Sequence, residues 1–340
     1  MKRGYKVLVL GNGRIARAAT CYLQKNPSVS KVVLEPCQSR IIPEEKNIAK
    51  YDLLIGALPG ELGQLPLQLA LRHRKNLIDI SDVEPQVYIK KSRQAAKKGI
   101  TIIPCCGFGP GLINFILGRE LSKAKGVREV EIKAGSLSPL KNYYPFLWCF
   151  EDLILEHRIP SWQILNGKIK KFKPFDGYQK ERFFGIEAES YFAQSGFENM
   201  MQQLKVNYFA FRVVRPLGFR EFFGYLESEG FLKKETMPVT KNIVEKDVLE
   251  NITLSTIRVS AGKKKATWIL KSVSRKGEKL NSMQKITAAT PAAMAETILK
   301  GKVGRRGVVF MEDLASDEVL FRYLLKENKK AGVTITRQAG

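Results

Sequence analysis

The chain has 340 residues, 44% of them apolar and 26% charged, which gives room for two domains and a sizeable core and excludes a disordered or fibrous chain. Lys and Arg number 57 against 33 Asp and Glu, a net charge of +24, but the basic residues are scattered, with the densest groups at 168–173, 262–266 and 301–306. No recognition motif accompanies the charge, so a surface that steers nucleotides or acidic substrates is expected, with no specific nucleic-acid partner.

The five cysteines (Cys21, Cys37, Cys105, Cys106 and Cys149) have no Cys-x-x-Cys spacing, the pattern of reduced thiols rather than of a disulfide frame or a metal site. The apolar run near residue 1 is too short for a signal peptide, and no stretch approaches the ~20 apolar residues of a membrane span. A cytoplasmic protein with no membrane partner is the expectation.

Residues 5–10, YKVLVL, form a short β-branched run suited to a strand buried on both faces of a parallel sheet. Gly11-Asn12-Gly13 follows at once, and then a helical pattern with Ile15, Ala18, Ala19, Tyr22 and Leu23 on one side. Gly11, Gly13 and Ala16 make G-x-G-x-x-A, the dinucleotide fingerprint with alanine in third place. Gly11 permits the tight turn, Gly13 lets a pyrophosphate touch backbone, and Ala16 lets the helix pack closely on the strand. The phosphates would lie on free N–H groups at the helix start, which adds Asn12, Arg14 and Ile15 to the candidate cofactor residues.

A second strand, 31–35, ends at Glu35, placed either to accept hydrogen bonds from adenosine ribose hydroxyls or to be a solvated loop residue. Ser39 and Arg40 just beyond could instead hold the 2′-phosphate of NADP, so NAD and NADP both stay open. Strands follow at 51–59, 76–81 and 99–104, separated by helical stretches at 62–75 and 85–98. Strand and helix in alternation predict a doubly wound parallel sheet of Rossmann type, with ligands outside the carboxyl ends of the strands. Those ends carry Gly11-Asn12-Gly13, Ala57-Leu58-Pro59, Asp79-Ile80-Ser81-Asp82 and the turn CCGFGPG at 105–111. That last turn reads either as a sharp corner or as a crevice wall kept free of side chains, with Gly107, Phe108 and Gly109 lining a cofactor. Alternating runs at 128–134, 206–214, 251–260 and 265–273 suit a sheet with one face packed, and 290–300 turns helical again with Pro291 at the helix start.

These segments together resemble the saccharopine dehydrogenase-like family, on its L-lysine 6-dehydrogenase and saccharopine reductase side. The resemblance rests on KVLVLGNGRIARA, LLIGALP, NLIDIS and GITIIPCCGFGPGLIN, then on ILNGK at 164–168 and on TAATPAAMAETILKGKVGRRGVVFMED at 287–313. It implies a dinucleotide-binding domain made of 1–115 and 288–340. An α+β domain with an open mixed sheet, 116–287, would be inserted between them for substrate binding and dimerisation. It also implies an NAD(P)-dependent oxidoreductase, a homodimer, acting on the C–N bond of a basic amino acid or its imine adduct. Departures stand beside the match. The segment after the second strand is short enough to have lost a helix–strand unit, Cys105 stands where an Asp is expected, and Phe219 where a histidine is expected.

Hydride transfer at a C–N bond asks the protein chiefly for positioning and one managed proton. Arg215 is the candidate anchor for a substrate carboxylate, since guanidinium meets carboxylate in a bidentate fork; a surface ion pair is the alternative. Asp79 and Asp82 could hold an ammonium group or orient water, or could cap the following helix. His157 is the candidate proton carrier, His73 reads as a helix-end residue, and Cys105 and Cys106 read as buried thiols more readily than as nucleophiles. The aromatic run 143–150 reads as core or dimer contact. The rival function is a catalytically degenerate nucleotide-binding sensor or scaffold of the same fold, suggested by Phe219 and Cys105.

Overall fold

Residues 4–37, 48–60, 62–81, 83–138, 149–194, 196–245 and 250–339 are described by a computed structural model. The strands in chain order are β1 (Tyr5–Leu10), β2 (Val29–Glu35), β3 (Leu53–Gly56), β4 (Asn76–Asp79), β5 (Thr101–Ile103), β6 (Glu129–Leu137), β7 (Ser161–Leu165) and β8 (Lys168–Phe172). They continue with β9 (Gln179–Phe183), β10 (Ile186–Phe192), β11 (Tyr208–Pro216), β12 (Asn251–Ala261), β13 (Lys264–Ser274), β14 (Gly307–Val308) and β15 (Val333–Ala339). The chain divides into two units. One comprises Met1–Lys123, Gly196–Met200 and Gln284–Ala331; the other comprises Ala124–Ser195, Met201–Met283 and Gly332–Gly340.

The first unit is built on a parallel six-stranded sheet in the order β14-β5-β4-β3-β1-β2. Leu53–Gly56 and Thr101–Ile103 are buried throughout, as continuous apolar strands covered on both faces must be. Helix Arg14–Gln24 buries Ala16, Ala18, Ala19 and Leu23, and these small side chains bring it close to the sheet. β2 and β3 leave β1 on opposite sides, so the topological switch lies at the carboxyl ends of β1 and β3, where ligands bind in sheets of this type. Among the described residues β2 forms the sheet edge, in keeping with the short segment noted after it. The sixth strand is supplied by Gly307–Val308, which pairs with β5 after the long excursion into the second unit.

Two helical expectations differ in detail. The stretch 85–98 forms two short helices, Pro85–Ile89 and Ser92–Lys97, broken at Lys90-Lys91. Pro291, expected at a helix start, sits inside a longer helix, Ser282–Leu299. A mid-helix proline loses a backbone hydrogen bond, and burial of Ala288, Ala289, Ala292, Ala293, Met294 and Ala295 around it supplies the offsetting packing.

The second unit is a nine-stranded mixed sheet with the path β15-β13-β12-β6-β11-β10-β9, while β7 pairs with β11 and with β8. β6 and β11 run parallel and the remaining neighbours antiparallel. The terminal strand β15 pairs with β13, and so belongs to this sheet and not to the nucleotide-type sheet. The alternation of side chains sorts the sheet into two faces. One carries Leu137, Val214, Ala188 and Leu254 with Phe183 in an apolar cluster. The other carries Thr253, Ser136, Arg215, Glu189 and Tyr191, as the registers Thr253↔Ser136, Glu189↔Arg215 and Tyr191↔Val213 require.

Candidate functional site

In the first unit the candidate residues gather at the carboxyl ends of β1 to β4. Gly11 has φ +124 and donates its N–H to the Glu35 carbonyl at 2.8 Å. A Cβ there would fall on the Ala57 carbonyl oxygen, so the turn and the close approach of β3 both demand glycine. Gly13 differs. It is the extended N-cap of helix Arg14–Gln24, and a Cβ added to it meets nothing within 4 Å. The fold has no need of glycine at 13; open space above the helix start does. Among the described residues no side chain caps this helix and no acidic residue stands in its first turn, so the positive end of its dipole suits an anion. Arg17 folds back over the turn, its Nε donating to the Asn12 carbonyl at 3.0 Å and to Asn12 Oδ1 at 3.1 Å. Arg14 and Ile15 are half-buried at the same end, with the Arg14 carbonyl accepting from Gln284 Nε2, and Ala16 is buried.

Glu35 ends β2 opposite Leu10, beside the glycine turn, where its side chain is half-buried. Ser39 and Arg40 lie outside the described residues. Ala57, Leu58 and Pro59 follow β3; the Ala57 N–H bonds to the Leu10 carbonyl and the Leu58 N–H to Ser81 Oγ. Asp79 is fully buried. Its Oδ1 accepts the Ser81 N–H at 2.9 Å and its Oδ2 accepts the Tyr88 hydroxyl at 2.9 Å. Burial pushes its carboxyl up to about 6, against the opposing pull of those bonds. With both oxygens engaged and no exposure, Asp79 holds the turn in place, and the expectation that it grips an ammonium group or a water does not fit. It caps no helix either, since Glu84 is the N-cap of Pro85–Ile89. Asp82 lies outside the described residues.

The turn 105–111 follows β5 and closes on itself. The Gly107 N–H donates to the Pro110 carbonyl, the Leu112 N–H to the Gly107 carbonyl, and the Gly111 N–H to Asn114 Oδ1. Gly111 has φ +134, and a Cβ there would collide with Gly107 backbone. A Cβ on Gly107 would press on Ile80 and Thr287, one on Gly109 would press on Ile113, and Phe108 is buried. The glycines of this turn therefore answer to the chain's own packing, the corner reading, in contrast to Gly13. Cys106 is buried, and burial followed by the Asp79 charge pushes its thiol well above the usual range, which rules out a resting thiolate.

In the second unit the structure brings Arg215 and His157 together with two residues the sequence reading missed, Glu156 and Tyr191. Arg215 is 4% exposed and its Nη2 donates to Glu156 Oε2 at 2.7 Å. This is a buried ion pair, not a surface one. Burial pushes the Glu156 carboxyl up, and the Arg215 charge pulls it down. His157 Nδ1 lies 2.7 Å from the Leu153 carbonyl, which can only accept, so Nδ1 carries the proton and Nε2 accepts from the Tyr191 hydroxyl at 2.8 Å. Burial first and the Arg215 charge second push His157 down to about 3. Phe175, Phe219 and Phe223 crowd its ring, Phe219 with centroids 5.0 Å apart. His157 is thus neutral across the physiological range and shut in among aromatic rings, contrary to its expected role as proton carrier. Next to Arg215 across the strand pair, Glu189 accepts the N–H groups of Gly218 at 2.9 Å and Arg220 at 2.6 Å, capping helix Phe219–Ser228. The only signals for these residues were the adjacency of Glu156 to His157 and the two-residue spacing of Glu189 and Tyr191 in one strand. Among the described residues no cluster could hold a metal ion, and no helix is long and apolar enough to cross a membrane.

Comparisons with known proteins bear on the family and the fold. A family model described as the saccharopine dehydrogenase C-terminal domain matches residues 107–333. Mitochondrial alpha-aminoadipic semialdehyde synthase of Bos taurus is 26% identical over 196 residues, covering 48% of this chain and 21% of that protein. Saccharopine dehydrogenase [NADP(+), L-glutamate-forming] of Pyricularia oryzae is 22% identical over 224 residues, covering 59% of this chain and 48% of that protein. The matches thus span about a fifth and about half of those relatives. The solved apo saccharopine dehydrogenase (L-Glu forming) of Saccharomyces cerevisiae superposes with a TM-score of 0.78 over 99% of this chain and 100% of that one, at 14% identity. That likeness is one of fold.

Proposed function

The chain belongs to the saccharopine dehydrogenase family, and from that premise we propose that it is an NAD(P)-dependent oxidoreductase acting on the C–N bond of an amino acid. The observation that carries the reading is Gly13: a residue with no side chain where the fold would accept one, at the uncapped start of a helix beside the topological switch. A dinucleotide fits what is there. Gly13 and the N–H groups of Arg14 and Ile15 would receive the pyrophosphate, with Arg17 adding positive charge. Glu35 stands where ribose hydroxyls would come, and Ala57 to Pro59 border the same turn. When bound, the nicotinamide group supplies the hydride acceptor or donor. Arg215 would orient the amino acid through its carboxylate, and Asp79, tied to Ser81 and Tyr88, keeps the β4 turn in register. The name of the Pyricularia oryzae relative, an L-glutamate-forming saccharopine dehydrogenase with NADP(+), suggests saccharopine and NADP for this chain too. The test is turnover: purified protein with NAD or NADP and saccharopine or lysine, followed by absorbance of the reduced cofactor, is expected to show oxidation of one of them.

A second reading has its own observation. His157, the one histidine of the cluster, is held neutral and enclosed, and Phe219 fills the place expected for another. Nucleotide binding without turnover of any amine or imine would favour a sensor or scaffold of the same fold.

A further inference from the structure

The Arg215–Glu156 pair has a charge balance that constrains what can bind to it. As it stands the pair is neutral and largely out of water. Arg215 is 4% exposed and the Glu156 side chain 16%. A plain carboxylate arriving at Arg215 would leave two negative charges on one guanidinium in a poorly hydrated place, which is costly unless one is neutralised. Among the described residues, the groups named against the pair offer no compensating cation. Tyr191 and His157 are neutral, and Glu189 is a third carboxylate already bound to the Gly218 and Arg220 N–H groups. An α-amino acid solves the problem by itself, because it carries its ammonium and carboxylate on one carbon and so matches a carboxylate and guanidinium that lie side by side.

Building on the proposed amino-acid oxidoreductase, we propose that Glu156 is a specificity-determining residue: it receives the substrate's α-nitrogen cation while Arg215 receives the carboxylate, so that the site takes zwitterionic amino acids in preference to carboxylates of the same length. Without Glu156 the guanidinium would lose its opposing charge, and the order would shift toward simple acids.

The test compares L-norleucine with hexanoate, the same carbon chain with and without the ammonium, by ligand-observed NMR on the full chain. Wild type is expected to prefer norleucine by about tenfold or more. Glu156→Gln is expected to bring the two within about threefold, with hexanoate gaining, while Glu156→Asp keeps the preference. An unchanged ratio in Glu156→Gln, no preference in wild type, or no binding of either ligand to wild type overturns the proposal. Should the variants fail to fold, a pH series on wild type decides. Burial pushes the Glu156 carboxyl up, so hexanoate affinity must fall as pH rises and Glu156 gives up the proton that lets it tolerate a second carboxylate, while norleucine affinity does not fall. A level hexanoate profile overturns the proposal. None of these readouts uses a dinucleotide, so a negative result here leaves the nucleotide site standing. Failure to bind NADH and NADPH would instead remove the oxidoreductase reading and leave these ratios as measured.

Discussion

Gly11 and Gly13 are two residues apart and ask for glycine for different reasons, which makes them separable by substitution. Gly13→Leu places a side chain in open space on an extended backbone, so the melting temperature is expected to stay within a degree or two while dinucleotide binding falls by at least tenfold. Gly11→Ala forces a left-handed alanine onto the Ala57 carbonyl and is expected to cost about 2–4 kcal/mol of stability, read by denaturant unfolding. Asp79 and His157 predict opposite pH behaviour. Asp79 is protonated in the folded chain and ionised in the unfolded chain between 3.8 and about 6, so it lowers stability as pH rises through that window, by about 3 kcal/mol if it acts alone. Asp79→Asn should remove that loss, provided the amide keeps its bonds to Ser81 and Tyr88. His157 is neutral when folded and protonated when unfolded between about 3 and 6.5, so its contribution is lost as pH falls through that range. His157→Gln should flatten the acid limb of the stability profile, and an unchanged limb would show that the ring is reached by water in the folded chain.

At the scale of elements, the sequence marked what repeats locally and missed what does not. β1, its glycine turn and helix Arg14–Gln24 were legible because a buried parallel strand, a tight turn and a packed helix each leave a short-range pattern in adjacent residues. Strands β6, β11, β12 and β13 were legible for the same reason. β7 to β10 were not singled out. They are short, and Lys168–Phe172 and Gln179–Phe183 are rich in charged residues, so apolar alternation is weak. The Asn166-Gly167 turn between β7 and β8, both residues at positive φ, was the available hairpin signal. The ion pair was out of reach, since Glu156 and Arg215 lie on a helix and a strand far apart in the chain and no local rule couples them. Helix Phe219–Ser228 depends on such a remote partner. Glu189→Ala would leave the Gly218 and Arg220 N–H groups without their acceptor and is expected to cost about 2–4 kcal/mol, where a loss below 0.5 kcal/mol would mean that the cap is replaced by water.

For the whole molecule, two sheets of different kind are assembled from interleaved stretches of one chain. The parallel sheet is completed by β14 from beyond the inserted unit, and the mixed sheet by β15 from the last stretch of the sequence. The β14–β5 pairing joins residues some two hundred positions apart, which is why the family resemblance, not periodicity, pointed to the returning segment. The central claim is that the first unit binds a nicotinamide dinucleotide, and the most direct measurement is a fluorescence titration of the purified chain with NADH and NADPH in parallel. Saturable binding of at least one at micromolar concentration, lost in Gly13→Leu and retained in Asp79→Asn, is the expected result. No binding of either up to millimolar concentration, or equal binding by Gly13→Leu, would contradict it.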